Sequence, residues 1–329
     1  MATLNHKKHS PEELKKLFES YLFGKGVEGF PSALYQPGLQ IMKMKAKRIR
    51  PVLLLTACEA VGGSIDQAMD AACAIEIYHN FTLVHDDIID EADIRRGDPT
   101  VHQLFGLNKA ILTGDAMLLH AFHLLNKVPG KNYHELMKVF VKTASEVIEG
   151  EQYDVDFEDV PEVTLEEYLN MIRLKTSVLL AASLKMGAIL GGASPEDSEL
   201  IYDFGLHLGL AFQIKDDYLD SFGDQKTFGK RIGGDILQNK KTYLLCMALK
   251  KADESQRREI FNIFEEKDEA KKIGSMLSMY EKLDVHKDTF ESMETLYNKA
   301  LQSLKSLSIN ENDRKPLFEL AGAIYKRSF

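Results

Sequence analysis

The sequence predicts an all-α protein, and three observations carry that expectation. Long stretches place apolar residues at helical spacing, proline is only 9 of 329 residues, and no alternating β-branched runs with tight glycine turns occur. In chain order, Ser10-Pro11-Glu12-Glu13 supplies an N-cap residue, a first-turn proline and early acids, so a helix starts there. Helical spacing recurs over residues 52–60, 68–89, 110–125 and 133–149, then over 165–190, 198–219 and 241–251. Breaks fall at Gly62-Gly63, Arg96-Gly97-Asp98-Pro99, Val128-Pro129-Gly130, Gly191-Gly192 with Pro195, and Gly233-Gly234. Ser194-Pro195-Glu196-Asp197 repeats the first helix-start pattern. Residues 250–307 are more polar and read as amphipathic peripheral helices of the same domain. No linker interrupts residues 30–250, and no solenoid-length repeat occurs.

Composition narrows the function classes. Hydrophobic residues make up 44% and charged residues 28%, as in a soluble globular chain and unlike a disordered one. A net charge of −9 excludes broad attraction to nucleic acid but not local basic pockets. Cys58, Cys73 and Cys246 form no CxxC pair and read as reduced core residues of a cytoplasmic protein. The polar N-terminus holds no signal-peptide pattern, and no run approaches the ~18 consecutive apolar residues of a membrane span. No integral membrane segment is therefore expected.

Chemistry concentrates in two places. Leu83-Val84-His85-Asp86-Asp87-Ile88-Ile89-Asp90 sets three acids into an apolar helical run. Asp86 and Asp90 are four apart, so they share one helix face, where like charges repel. A divalent cation removes that repulsion; Mg²⁺ prefers oxygen ligands and completes its shell with water and substrate phosphates. Taken singly, this cluster reads equally well as a solvated acidic helix end. The same DDxxD spacing returns in Phe212-Gln213-Ile214-Lys215-Asp216-Asp217-Tyr218-Leu219-Asp220. Two such clusters facing each other across a cavity would hold several Mg²⁺ ions around a polyanion.

Cations stand beside these acids. Lys45-Ala46-Lys47-Arg48-Ile49-Arg50 precedes an apolar helix, Arg95-Arg96-Gly97 follows the first cluster, and Lys175, Lys230, Lys240 and Lys241 come later. Arginine makes forked contacts to phosphate and lysine point-charge contacts, so this arrangement points to a phosphate site. Residues 45–50 by themselves read as a solvated charge run. As a set, the motifs resemble those of the trans-isoprenyl diphosphate synthases, the polyprenyl synthase family. His85 to Asp90 with Ala92-Asp93-Ile94-Arg95-Arg96-Gly97-Asp98-Pro99-Thr100-Val101-His102 is similar to the family's first aspartate-rich motif, and Phe212 to Asp220 to its second. Thr113-Gly114-Asp115 and Arg173-Leu174-Lys175-Thr176 fall in family order. One departure stands out: Lys45 and Ala46 occupy positions where the family usually has Gly-Gly. Alanine lacks glycine's access to positive φ, so the basic loop is expected to turn differently.

The resemblance implies an all-α, single-domain helical bundle of the isoprenoid synthase type with a central cavity. Its motif-bearing core spans about residues 39–241, with peripheral helices over 250–329. It implies Mg²⁺, three ions per active site, held by Asp86, Asp87, Asp90, Asp216, Asp217 and Asp220. Arg95, Lys230 and Lys240 would bind the allylic diphosphate; Lys47, Arg50, His79 and Arg96 would bind that of isopentenyl diphosphate. Lys175, Thr176 and Gln213 would stabilise positive charge on the allylic carbon. Dimethylallyl, geranyl and farnesyl diphosphates are the implied primers, and a homodimer is the implied assembly. A bulky residue five before the first motif stops elongation in the family, which makes Phe81, with Thr82 and Tyr78, the expected chain-length determinants. They favour a C15–C20 product, with geranylgeranyl ahead of farnesyl. The basic tail at Lys326 and Arg327 would fold over the diphosphate.

Three other readings compete. A terpene cyclase shares the ionisation step but generally carries an Asn/Ser/Glu-type second metal motif. A metal phosphohydrolase built on His85 and Asp86 would need further histidines, with His79 and His102 available, and leaves the second cluster unexplained. A non-catalytic subunit would not need two intact acidic motifs.

Overall fold

The computed structural model describes residues 8–25, 31–128, 130, 132–223 and 232–326. The helices are α1 (Pro11–Lys25), α2 (Ser32–Lys43), α3 (Ile49–Ala60), α4 (Ile65–Ile89), α5 (Val101–Phe105), α6 (Leu107–Leu125), α7 (Tyr133–Asp156) and α8 (Leu165–Ile172). They continue as α9 (Val178–Gly191), α10 (Pro195–Phe222), α11 (Gly234–Leu237), α12 (Tyr243–Lys251), α13 (Glu254–Phe264), α14 (Glu269–Lys282), α15 (Val285–Lys305) and α16 (Glu311–Lys326). The expected helix starts are realised by capping. Glu13 N–H reaches Ser10 Oγ at 3.3 Å while Ser10 N–H reaches Glu13 Oε2 at 2.7 Å, and Asp197 N–H reaches Ser194 Oγ at 3.0 Å.

Two features depart from the periodicity. A two-residue antiparallel pair, β1 (Ile94–Arg95) with β2 (Asp98–Pro99), stands where only a helix break was expected. Its turn residues Arg96 and Gly97 both have positive φ, 57° and 89°, as a two-residue primed hairpin requires. The run from 165 to 190 is interrupted by a π-helical turn over Arg173–Ser177, where Val178 N–H bonds back to the Arg173 carbonyl.

Contacts divide the chain into two compact units, each assembled from separate stretches. The first comprises Met1–Phe140, Ser183–Glu199 and Ser308–Leu317; the second comprises Val141–Ala182, Leu200–Leu307 and Phe318–Phe329. In the first, α4 packs on α3 and α6, and α2 packs on α6. Its core includes Leu53, Leu54, Ile75, Ile77 and Tyr78, all at most 1% exposed. Burying side chains of that size contributes roughly 1.5–3 kcal/mol each. The second unit gathers Ile214, Tyr168, Tyr243 and Leu244 with Ile260, Met276, Tyr280 and Met293. Residues from the stretch after residue 250 thus join a cluster begun by residues before it. One helical stretch among the described residues, Leu165–Gly191, is long and apolar enough to cross a membrane, with mean hydropathy 1.3 in its most apolar window. Since 67% of that window is buried inside the protein, it reads as a core helix.

Candidate active site

In the first unit, the C-terminal end of α4 carries the first acid set. Asp86 is half-buried and Asp90 exposed, and Asp87 is only 1% exposed. Asp87 Oδ1 accepts from Arg95 Nε at 2.6 Å, whereas its buried Oδ2 has no hydrogen-bond partner. Burial pushes the Asp87 carboxyl up, Arg95 pulls it back, and Asp86 raises it again. A carboxylate with an orphaned buried oxygen beside two further acids fits a divalent cation. Among the described residues, no three His, Cys, Asp or Glu side chains converge into a ready-made cage. Mg²⁺ takes one or two carboxylates and leaves the remaining sites to water and substrate phosphate.

The first unit also holds a basic pocket of about 260 Å³, lined by residues 45–50 with Glu76, His79 and Arg96. The primed turn explains how adjacent arginines serve two places: Arg95 turns to Asp87 and Arg96 lines the pocket. Arg50 Nη1 lies 3.0 Å from His79 Nε2. Burial, then the neighbouring Arg50 and Arg96, hold His79 well below the usual imidazole range, so the ring is neutral. Burial also brings the Arg50 guanidinium down to about 10, opposed by Glu76. In the basic loop the left-handed residue is Arg48, at φ 54° and ψ 39°, and neither Lys45 nor Ala46 adopts positive φ.

Below the acids, α4 is aromatic. Phe81 is 6% exposed and Tyr78 fully buried, with ring centroids 5.5 Å apart. Tyr78 meets Phe140 at 5.4 Å, and Phe140 meets Phe122 at 5.2 Å. Thr82 spends its hydroxyl on the His79 carbonyl at 2.8 Å. His85 packs edge-on against Phe81, places Nε2 3.2 Å from the Ile111 carbonyl, and sits so close to Gly114 that a Cβ there would lie 2.1 Å from the ring. A histidine wedged against α6 makes a poor metal ligand, which counts against the phosphohydrolase reading.

The second unit carries the other acid set on α10. The three aspartates are not equivalent. Asp217 turns into the core, where Oδ2 accepts from the Tyr168 hydroxyl and, at 2.8 Å, from Tyr243 N–H. Burial pushes its carboxyl up to about 7, against the pull of those two hydrogen bonds. Asp220 Oδ2 accepts Asp235 N–H at 3.0 Å, tying α10 to α11. Lys175, on the π-helical turn, places Nζ 2.7 Å from Asp154 and 2.8 Å from Glu151, both on α7. Thr176 Oγ1 donates to Gln213 Oε1 at 3.3 Å. Burial lowers the Lys240 ammonium, but Asp154 and Asp235 raise it further, for a net upward shift. Lys230 lies outside the described residues. Sequence reasoning missed Asp154, Glu151, Asp235 and Glu76; their one signal is an acid within an otherwise apolar or amphipathic helix.

Comparison with known proteins decides the family. Residues 31–283 match the Polyprenyl synthetase family. The chain belongs to that family. A geranylgeranyl diphosphate synthase of Methanosarcina mazei is 44% identical over 223 residues, covering 67% of this chain and 69% of that one. A crystal structure of a geranylgeranyl pyrophosphate synthase superposes with TM-score 0.92 at 43% identity, covering 98% of this chain and 100% of the other. A geranylgeranyl pyrophosphate synthase from Corynebacterium glutamicum, complexed with isoprenyl diphosphate and magnesium, matches with TM-score 0.81 at 26% identity over 96% of this chain and 98% of its own. The all-α fold of the polyprenyl synthetases and membership among prenyltransferases follow.

Proposed function

We propose that this polyprenyl synthetase condenses isopentenyl diphosphate head-to-tail with an allylic diphosphate, using Mg²⁺, and releases a linear trans product of C20 in preference to C15. One observation carries the reading: the first unit holds a cation-lined pocket separate from its acid-bearing helix end, so two diphosphates are provided for. A terpene cyclase ionises only one.

Each residue has its task. Asp86, Asp87 and Asp90 in the first unit, and Asp216 and Asp220 in the second, would hold Mg²⁺, three ions in all, while Asp217 acts chiefly by fixing α10 against Tyr168 and Tyr243. Bound Mg²⁺ supplies Lewis-acid withdrawal of charge from the departing diphosphate. Arg95, Lys240 and Lys230 bind the allylic diphosphate and stabilise its charge as the C–O bond breaks. Lys47, Arg50 and Arg96 bind the isopentenyl diphosphate, and neutral His79 orients Arg50. Lys175, Thr176 and Gln213 stabilise positive charge on the allylic carbon, and water is excluded so the isopentenyl double bond reaches it first. The proton leaves to the released diphosphate.

The chain is proposed to act in the cytoplasm as a homodimer. Its three cysteines are buried and in no disulfide. Along α6, Leu107, Ile111 and Leu119 share one face and are 52%, 39% and 68% exposed, a surface suited to a second copy. Light scattering on the purified protein tests this. The shielding tail cannot be placed, since residues 327–329 and the Lys326 side chain lie outside the described residues.

The assay is direct: protein, Mg²⁺, labelled isopentenyl diphosphate and C5, C10 or C15 primers. Linear C20 diphosphate is the expected product. Hydrocarbon would indicate a cyclase, phosphate a hydrolase, and no turnover a modulatory subunit. The Phe81-Tyr78-Phe140 stack is read as the tunnel floor. Phe81→Ala is therefore expected to shift most of the product beyond C20, read by chromatography of the dephosphorylated alcohols. An unchanged distribution would remove Phe81 from that role.

A further inference from the structure

Arg48, in the basic loop, has no place in the proposed chemistry. It is 3% exposed, in left-handed conformation at the N-terminus of α3, and points away from solvent. Its Nη1 donates to Glu76 Oε1 at 2.6 Å, its Nη2 donates to the Met42 carbonyl, and its Nε lies 3.5 Å from Glu19. Glu76 is 2% exposed and is the one acid lining the pocket among the described residues. Asn80 holds Glu76 from the next turn of α4, with Nδ2 at 3.3 Å from Oε1 and 2.8 Å from the Glu76 carbonyl.

We propose that the buried Arg48–Glu76 ion pair sets the isopentenyl diphosphate pocket, pinning the basic loop in its left-handed turn and masking a carboxylate that would otherwise repel the diphosphate. This rests on the pocket assignment made under the proposed function. Positive φ is unfavourable for a side-chain-bearing residue and persists only where the surroundings hold it. Here the fork of one guanidinium ties the loop to α2 and α4 together. Lys47 and Arg50 flank Arg48 in sequence, so the turn that buries Arg48 directs its neighbours to the pocket lining. The charge arithmetic runs the same way. With Arg48 present, the Glu76 carboxylate is paired at 2.6 Å beneath a pocket lined by Lys47, Arg50 and Arg96. Without Arg48, a bare carboxylate lies under the anion. Arg48 and Glu76 are thus positioning residues that touch no substrate.

Steady-state kinetics with each substrate varied in turn tests this. R48M is expected to raise KM for isopentenyl diphosphate roughly 10- to 100-fold, the scale of a ~1 Å misplacement, with the allylic KM and kcat changed less than threefold. Adding E76Q to R48M should recover much of that loss, because the anion is gone. R48G separates backbone from side chain: it relieves the positive φ, yet is expected to raise KM as R48M does. An unchanged isopentenyl KM in folded R48M, or equal rises in both KM values, would overturn the proposal. R50M serves as reference. If it raises the isopentenyl KM and R48M does not, this inference fails and the pocket assignment stands; if R50M leaves that KM unchanged, the pocket assignment itself fails. Should R48M not fold, R48K carries the test, since it keeps the charge and loses the fork; it should show the same KM-selective rise, and a wild-type KM would overturn the proposal.

Discussion

Asp86→Ala is expected to lower kcat by roughly 10²–10³-fold, the scale of removing one preorganised electrostatic stabiliser from a reaction that builds charge, while leaving the fold intact. The two halves have separate physical causes. Asp86 is half-buried at the end of α4 and shares a helix face with Asp90. Removing it relieves an i,i+4 repulsion worth about 0.2–0.5 kcal/mol, so the melting temperature should hold or rise slightly. On the proposed role, the rate would fall because Mg²⁺ would lose a carboxylate ligand that water cannot replace in charge. The apparent Mg²⁺ requirement should increase at the same time. Asp216→Ala is expected to behave alike. Asp217→Asn is the contrast: its carboxylate already accepts from Tyr168 and Tyr243, so its change should appear in thermal stability before it appears in the Mg²⁺ dependence. Near-normal turnover by Asp86→Ala at unchanged Mg²⁺ would refute its role as a ligand.

What could be read from the chain beforehand follows from how local each feature is. Helix ends were legible because Ser10-Pro11 and Ser194-Pro195 act within a turn of themselves. The DDxxD sets were legible because four-residue spacing fixes a shared face in any helix. Asp217 was not, since adjacent residues on a helix point about 100° apart. Which of Asp216 and Asp217 turns inward is decided by Tyr168 and Tyr243, distant in sequence. Glu76 and Asn80 looked like ordinary members of an apolar helix; only the Arg48 guanidinium, 28 residues earlier, shows why an acid is buried there. The π-helical turn over Arg173–Ser177 left no mark in the periodicity of the run that contains it.

Gly150 on α7 lies against that turn, and Gly150→Ala is expected to do large damage for its size. On propensity alone, glycine to alanine within a helix stabilises by roughly 0.5–1 kcal/mol. Here the sign reverses. A Cβ on Gly150 would lie 2.3 Å from Lys175 N, 2.7 Å from the Leu174 carbonyl carbon and 2.7 Å from Lys175 Cα. All three are backbone atoms, so no rotamer change makes room, and α7 must move off the turn carrying Lys175 and Thr176. Overpacking of this kind costs about 1–3 kcal/mol. The same movement draws Lys175 away from Glu151 and Asp154, which hold its ammonium at 2.8 and 2.7 Å. It also displaces Thr176 from Gln213. Because a ~1 Å error in positioning groups can cost about 10²-fold in rate, kcat should fall by that order even in the fraction that remains folded. Gly274→Ala is the matched control, since a Cβ at that helical position meets nothing within 4 Å. It should hold or raise the melting temperature with turnover unchanged. If Gly150→Ala melted earlier but turned over normally, the close approach would serve packing alone; if it matched wild type in both, the contact between α7 and the π-helical turn would have no part in shaping the site.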